Sequence, residues 1–252
     1  ADRGLFRALP AFGLAIVSVG MLLLPVWNYN LGSSSPISFS GDIVVLLYLL
    51  SLPTFIFFLA GWSSTNLFST VGATRVLTML FGYEVPLFLT VLTPAILANS
   101  WRLAEIAAFY RQQPLLALLN LPAFVIALIC VQAKLERTPF DIPHAETEIV
   151  GGTFTEYSGK KLALFRLMMD VELVVASGLL ATVFLGGFPG GLVPGLINFI
   201  IKTLLVISLL SLLRATTSRI RVDQVIALSW RYLAPLAVLQ LVIIILVKGL
   251  IS

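Results

Sequence analysis

Seven stretches of this chain, near 5–27, 42–61, 76–99, 114–134, 162–186, 193–213 and 231–250, run almost without charge. A helix of about 20 apolar residues spans the hydrocarbon core of a bilayer. Inside lipid a single segment satisfies its own backbone N–H and C=O groups only as a helix. The expected fold is therefore all-α, a polytopic transmembrane helix bundle with seven spans. Composition agrees, with 59% hydrophobic and 11% charged residues, where soluble domains are about half apolar and about a quarter charged. No repeat, low-complexity tract or linker divides the chain, so residues 1–252 read as one integral membrane domain, with a polar acidic loop at 135–161.

Several function classes are excluded at this level. The chain has one cysteine and one histidine, so it can build neither an internal disulfide nor a His-based or CxxC metal site. Cys130, inside an apolar run, reads as a small buried hydrophobe. No GxGxxG, P-loop or Ser/His/Asp arrangement is present. The net charge of +4 is scattered over separate loops rather than gathered on an aromatic-studded stripe, which argues against nucleic acid as a partner. The opening ADRGLFRALP lacks an initiator Met and a signal-peptide cleavage site. The expectation is that a segment precedes it.

Charge bias sets the orientation. With the segment before the first span on the cytoplasmic side, Arg3, Arg7, Arg75, Lys134, Arg137, Lys160, Lys161, Arg166, Arg214, Arg219, Arg221 and Arg231 fall at inner loops or inner helix ends. Arg102, Arg111 and Lys248 fall outside, and Lys202 lies within a span. This matches the positive-inside rule. It places the longest polar connection, ERTPFDIPHAETEIVGGTFTEYSG, in the cytoplasm. That stretch holds five of the chain's twelve acidic residues and its single histidine.

Ionisable groups at membrane depth are costly and are candidates for function by default. Here they are Glu84, Asp170, Glu172 and Lys202. Glu84 precedes Pro86, which removes a helix hydrogen bond and tends to kink the helix, making a wet spot beside a carboxylate. Asp170 lies four residues after Arg166, a spacing that allows a purely structural salt bridge. In the loop, Pro139 and Pro143 prevent a continuous helix, and HAETEIVGG reads as a short helix ended by Gly151 and Gly152. Glu146 and Glu148, two apart, do not share a face. Crowded carboxylates raise one another's pKa and so can exchange protons near neutrality. The plainer alternative is solvated loop charges balanced by Arg137, Lys160 and Lys161.

The residues also resemble a family. GWSS at Gly61 to Ser64 followed by Gly72, Arg75 and Tyr83-Glu84-Val85, ERTPFDIPHAETE at Glu136 to Glu148, and TEYSG at Thr155 to Gly159 are similar to the H subunit (subunit 1) of respiratory complex I, the NADH:quinone oxidoreductase. They are similar also to the matching membrane protein of energy-converting membrane-bound hydrogenases. FLGG at Phe184 to Gly187, Lys202-Thr203, and RATTSRIRVDQ at Arg214 to Gln224 with Trp230 continue the pattern in order. The resemblance implies an eight-helix fold whose first helix precedes residue 1. It implies partners of two kinds, peripheral-arm iron–sulfur subunits and antiporter-like membrane subunits. No redox cofactor would be bound by this chain, with quinone at the interface and iron–sulfur clusters in the partners.

By the same resemblance Glu84, Glu136, Asp141, His144, Glu146, Glu148 and Glu156 would form an acidic funnel at the quinone chamber and the entrance to a proton path. Asp170, Glu172 and Lys202 are further candidates for that path, and Arg75, Arg137 and Arg214 would be the countercharges. Two departures stand out. His144 replaces a glutamate that quinone-reducing members usually carry, and Met169 stands beside Asp170 where they usually carry another. These leave room for a hydrogenase or sulfur-reducing relative. Readings of other classes are a stand-alone secondary transporter using Glu84, Asp170 and Lys202, and a structural anchor with inert charges. The expected location is the cell membrane of a prokaryote.

Overall fold

The computed structural model describes residues 8–25, 38–144, 146–189 and 192–251. Arg3, Arg7 and most of the loop after the first span lie outside the described residues. So does the side chain of Glu146. The described residues form helices α1 (Leu9–Leu23), α2 (Asp42–Trp62), α3 (Leu67–Ala98), α4 (Leu103–Gln112), α5 (Pro114–Leu119), α6 (Leu121–Lys134), α7 (Glu146–Ile149), α8 (Lys160–Phe184), α9 (Leu192–Thr216), α10 (Val222–Leu228) and α11 (Ala234–Ile251). No strand occurs among them. Five helical runs, α2, α3, α8, α9 and the run Val222–Leu250, are long and apolar enough to cross a membrane. The expected all-α membrane bundle is therefore what the chain folds into.

Three expected spans differ in detail. The third begins at Leu67 rather than near 76, because Asn66 caps it, its side chain accepting from Phe68 N at 3.0 Å. Its 32 residues make about 48 Å at 1.5 Å per residue, so one end projects beyond a bilayer core of about 30 Å and carries Arg75 up to the polar loop. The fourth, 114–134, is two helices rather than one, with Asn120 between them at φ −90° and ψ 7°. Pro122 lacks the N–H that would bond to Leu118, so the helix breaks there. The seventh starts earlier, at Val222, and passes through a π-helical turn at Ser229–Leu233 before continuing as α11.

Helix α3 is the central post. It packs against α2, α6 and α11, while α1 packs on α8 and α2. Thr90 donates to Pro86 O at 2.9 Å, and α3 continues through Pro86. The membrane-crossing windows of α9 and of the run that ends in α11 are only 22% and 28% buried, so these two helices are the most exposed of the long apolar ones. The two ends differ. Arg75, Arg219 and Arg221 gather beside Ile142 and Glu148 at the loop end. At the opposite end Lys202 Nζ donates to Leu185 O at 2.7 Å and to Gly187 O at 2.5 Å, and Lys248 Nζ donates to Ile96 O at 2.8 Å.

The polar loop is folded against the bundle rather than solvated. Phe140, Ile142 and Tyr157 are buried, Ile220 N donates to Pro139 O at 3.2 Å, and Tyr157 OH donates to Ala60 O at 3.2 Å. Helix α7 ends at Ile149 and is stopped by Val150, whose φ of 61° is left-handed, ahead of the glycine pair read as its stop. The following 3-10 turn, Gly152–Phe154, sits in a cradle on α2 and α3. A Cβ on Gly72 would lie 2.7 Å from Thr153 N, and one on Gly61 would lie 3.0 Å from Thr153 Cγ2. Glycine at these two positions is what lets the turn approach the helices.

Candidate functional site

Where α6 ends, the chain places a lysine inside the bundle. Lys134 is 2% exposed, and its Nζ lies 5.5 Å from the centroid of the Tyr83 ring. A buried cation requires compensating charge, and Lys134 has three carboxyl groups as electrostatic neighbours: Glu172 on α8, Glu84 on α3 and Glu136 just past its own helix. Glu172 and Glu136 are 1% and 4% exposed. Glu172 Oε1 is buried without a hydrogen-bond partner among the described residues. Helix α2 supplies hydroxyls to the same region. Ser51 donates to Glu84, and Thr54 Oγ1 lies 3.1 Å from Tyr83 OH. Four helices thus converge on one charged cluster deep in an apolar bundle.

The loop adds a second basic group. Glu136 stands at φ 49°, a left-handed conformation uncommon outside glycine, at the point where the chain leaves α6. His144 Nε2 then lies 2.6 Å from Glu136 Oε2. The contact is off the line of an ideal hydrogen bond, and Glu136 Oε1 and His144 Nδ1 have no hydrogen-bond partner among the described residues. The imidazole stacks on Phe154, with centroids 4.9 Å apart and planes at 12°. Burial by itself pushes the His144 pKa down, but the contact and charge of Glu136, with Asp141 behind it, outweigh burial and raise it above its ordinary value. Burial raises Asp141 as well, against the pull of His144 and Arg219. Beside the pair, His144, Gly151, Phe154, Leu162, Arg166 and Met169 line a cavity of about 340 Å³.

The other residues singled out from the sequence lie around this centre. Arg75 NH1 meets Glu148 Oε2 at 2.6 Å, and Glu156 accepts from Thr65 at 3.1 Å. Arg214 is exposed and acts at longer range on Arg137 and Asp141. Asp170 does not pair with Arg166. Its side chain is 71% exposed and meets Arg137, reaching over from the loop, at 3.4 Å, while Arg166 turns to the cavity with His144. Lys202 stands on the carbonyls at the far end of α8, away from the cluster.

Two features of the cluster differ from what the sequence suggests. Lys134, which by position belongs among the solvated charges of the inner helix ends, is a buried member of the cluster. Tyr83, Ser51 and Thr54, which in the sequence are parts of apolar spans, supply its hydroxyls. A signal for Lys134 exists: it lies in VQAKLER, two residues before Glu136 and with apolar neighbours on its own helix.

The chain is similar to known proteins over nearly its whole length. A family model described as NADH dehydrogenase matches residues 1–245. The chain is 36% identical over 249 residues to the H subunit of NADH-quinone oxidoreductase from Dehalococcoides mccartyi, covering 96% of this chain and 67% of that protein. It is 35% identical over 254 residues to the second H subunit of the same enzyme from Geobacter sulfurreducens, covering 96% and 75%. With NADH-quinone oxidoreductase subunit 8 of Thermus thermophilus it shares 35% over 262 residues, covering 99% and 70%. Among solved structures, a chain of the membrane-bound sulfane sulfur reductase, an archaeal respiratory membrane complex, superposes with a TM-score of 0.82 at 23% identity, covering 97% of this chain and 81% of that one. That likeness is one of fold. On the family match and the extent of these relatives, this chain belongs to the NADH dehydrogenase family of multi-pass membrane proteins, the family of the H subunit or subunit 1.

Proposed function

We propose that this chain is a membrane-arm subunit of a complex-I-like respiratory oxidoreductase, in which the buried cluster couples electron transfer in a docked peripheral arm to movement of protons or other ions in the membrane. The observation that carries the reading is the cluster's stoichiometry. Three carboxyl groups, Glu84, Glu136 and Glu172, share two buried or half-buried bases, Lys134 and His144. Unbalanced charge at this depth is costly, so one carboxyl group in the set is available to hold and release a proton. A structural ion pair would need only matched partners.

In this reading the loop, on the cytoplasmic side, is the floor on which peripheral iron–sulfur subunits dock, and the cavity beside His144 belongs to the quinone chamber or to its former site. Antiporter-like membrane subunits take the charge movement onward, and the chain binds no redox cofactor itself. The assignment to a prokaryotic cell membrane is part of the same proposal. A secondary transporter acting alone through Glu84, Asp170 and Lys202 has little support, because the three do not meet: Glu84 lies in the cluster, Asp170 is exposed against Arg137, and Lys202 stands at the far end of α8.

The test is Glu136→Gln in the intact complex, reconstituted in liposomes with its native electron donor. The expected result is an assembled complex whose ions moved per electron fall several-fold; full coupled pumping would overturn the proposal. Assaying the same preparation with hydrogen, with a soluble quinone and with polysulfide separates the quinone-linked form from a hydrogenase or sulfur-reducing relative. His144, a base at the cavity wall, is the feature that favours testing the second form.

A further inference from the structure

The pairing of His144 with Glu136 asks for a role of its own, because Glu136 already has Lys134 as a neighbour. Glu136 is buried, is held in a left-handed backbone conformation, and presents two oxygens that find no other hydrogen-bond donor among the described residues. The imidazole is the group in contact with it, and stacking on Phe154 fixes that imidazole in place. Phe154 in turn is held by Phe57 and Phe165, with ring centroids 5.4 Å and 4.9 Å away. This is the construction of a positioned pair, not of a loop histidine resting on a surface.

We infer that His144 is a positioning residue of the charge path: it and Glu136 act as one proton-sharing dyad that keeps Glu136 charged and facing Lys134, so that the protonation state of His144 sets how many protons the buried cluster holds. The inference rests on the proposed coupling role and specifies how its entrance is controlled.

The charged groups around the dyad favour this arrangement. Glu136 and Asp141, from the same loop, bear on the imidazole directly. From α8, Arg166 lines the shared cavity and Glu172 acts on Glu136's partner Lys134. From α3, Arg75 is engaged by Glu148 of α7. Two carboxylates thus act on His144 directly, and Arg166 is the cation that lines its cavity among the described residues. The raised pKa of His144 means that the imidazolium persists to higher pH than that of a free histidine. When it is lost, Glu136 keeps its charge only by drawing on Lys134, and the cluster takes up a proton in compensation.

The experiment is the pH profile of ion movement per electron in the reconstituted intact complex, for wild type, His144→Gln, His144→Lys, Glu136→Gln and the double variant His144→Gln/Glu136→Gln. Removing the imidazolium leaves a buried carboxyl without its nearest opposite charge, an effect of about 1–3 pKa units. The acidic limb of His144→Gln should therefore move to higher pH by about one unit or more, and His144→Lys, which restores the charge, should return it toward the wild-type position. In the Glu136→Gln background His144→Gln should move the limb no further. An assembled His144→Gln complex with an unmoved limb, alongside a Glu136→Gln complex that pumps poorly, overturns the dyad and leaves the coupling role standing. Normal pumping in both single variants overturns the coupling role itself. If His144→Gln does not assemble, the lysine variant decides: a limb displaced by about one pH unit despite the retained charge refutes the inference.

Discussion

Replacing Lys134 by methionine separates the charge of this residue from its volume. Methionine has nearly the same length and fills the same space, so the packing around Tyr83 is kept and the perturbation is electrostatic. Lys134 is 2% exposed, and three carboxyl groups act on it. Breaking a buried charge arrangement by removing one partner costs about 3–5 kcal/mol. Part of that cost is recoverable, because a proton taken from solvent can replace the lysine charge. Each pH unit of acidification returns at most about 1.4 kcal/mol. Lowering the pH by two units should therefore restore at most about 2.8 kcal/mol, from about half to nearly all of the lost stability. The assay is thermal dissociation of the purified complex, followed by size exclusion, for wild type and Lys134→Met at two pH values. A marked loss at the higher pH and a smaller one at the lower is expected. No loss at either pH would mean that Lys134 is not the countercharge of the cluster, and a loss independent of pH would mean that it acts through packing alone.

Gly72→Ala should dislodge the turn that carries Phe154, because the added Cβ would lie 2.7 Å from the backbone N of Thr153 and 2.9 Å from Gly152 C. Neither of these backbone atoms can swing aside, and the expected destabilisation is about 1–3 kcal/mol, read as reduced recovery of the subunit in the assembled complex. Lys202→Met removes two hydrogen bonds to the last carbonyls of α8 and the following turn, at 2.7 and 2.5 Å. It should lower thermal stability by about 1.5–3 kcal/mol while leaving ions moved per electron unchanged; a fall in that ratio would put Lys202 in the path.

The helical spans were legible because hydropathy over about 20 residues responds to the bilayer alone, and the break in 114–134 was also written in the sequence as Pro122, though a hydropathy window averages over it. The site was legible in its acidic half and in His144, but not in Lys134. Glu136, Glu148 and Glu84 stand out as carboxylates in an apolar chain, whereas the burial of Lys134 was hidden by its position near a span end, where lysines usually reach the water. The spacing rule failed at Asp170 for a related reason: four residues place Arg166 on the same helical face, but Arg137 arrives from a loop whose path no local rule gives. Likewise the eight residues from Glu136 to His144 say nothing of contact. That pairing depends on the left-handed turn at Glu136 and on the stack with Phe154.

Why the loop is so firmly held follows from the cost of what it carries. A carboxylate and an imidazole removed from water keep their mutual attraction only if their separation is maintained, and a displacement of a few ångströms would admit water and screen them. The loop is accordingly tied at several independent points. Pro139 O accepts from Ile220 N, Ile142 O accepts from Arg75, and Tyr157 OH reaches Ala60 O on α2. The Gly61 and Gly72 cradle sets the turn at Thr153 against two helices. These ties run to α2, α3 and the segment before α10. Through α3, the helix that bears Arg75 also bears Tyr83 and Glu84, so a force on the loop from a docked partner is delivered to the element that forms the cluster's wall. The coupling proposed for this chain then needs no moving domain. It needs only that the charge state at the loop and the charge state beneath Tyr83 be read through one rigid helix.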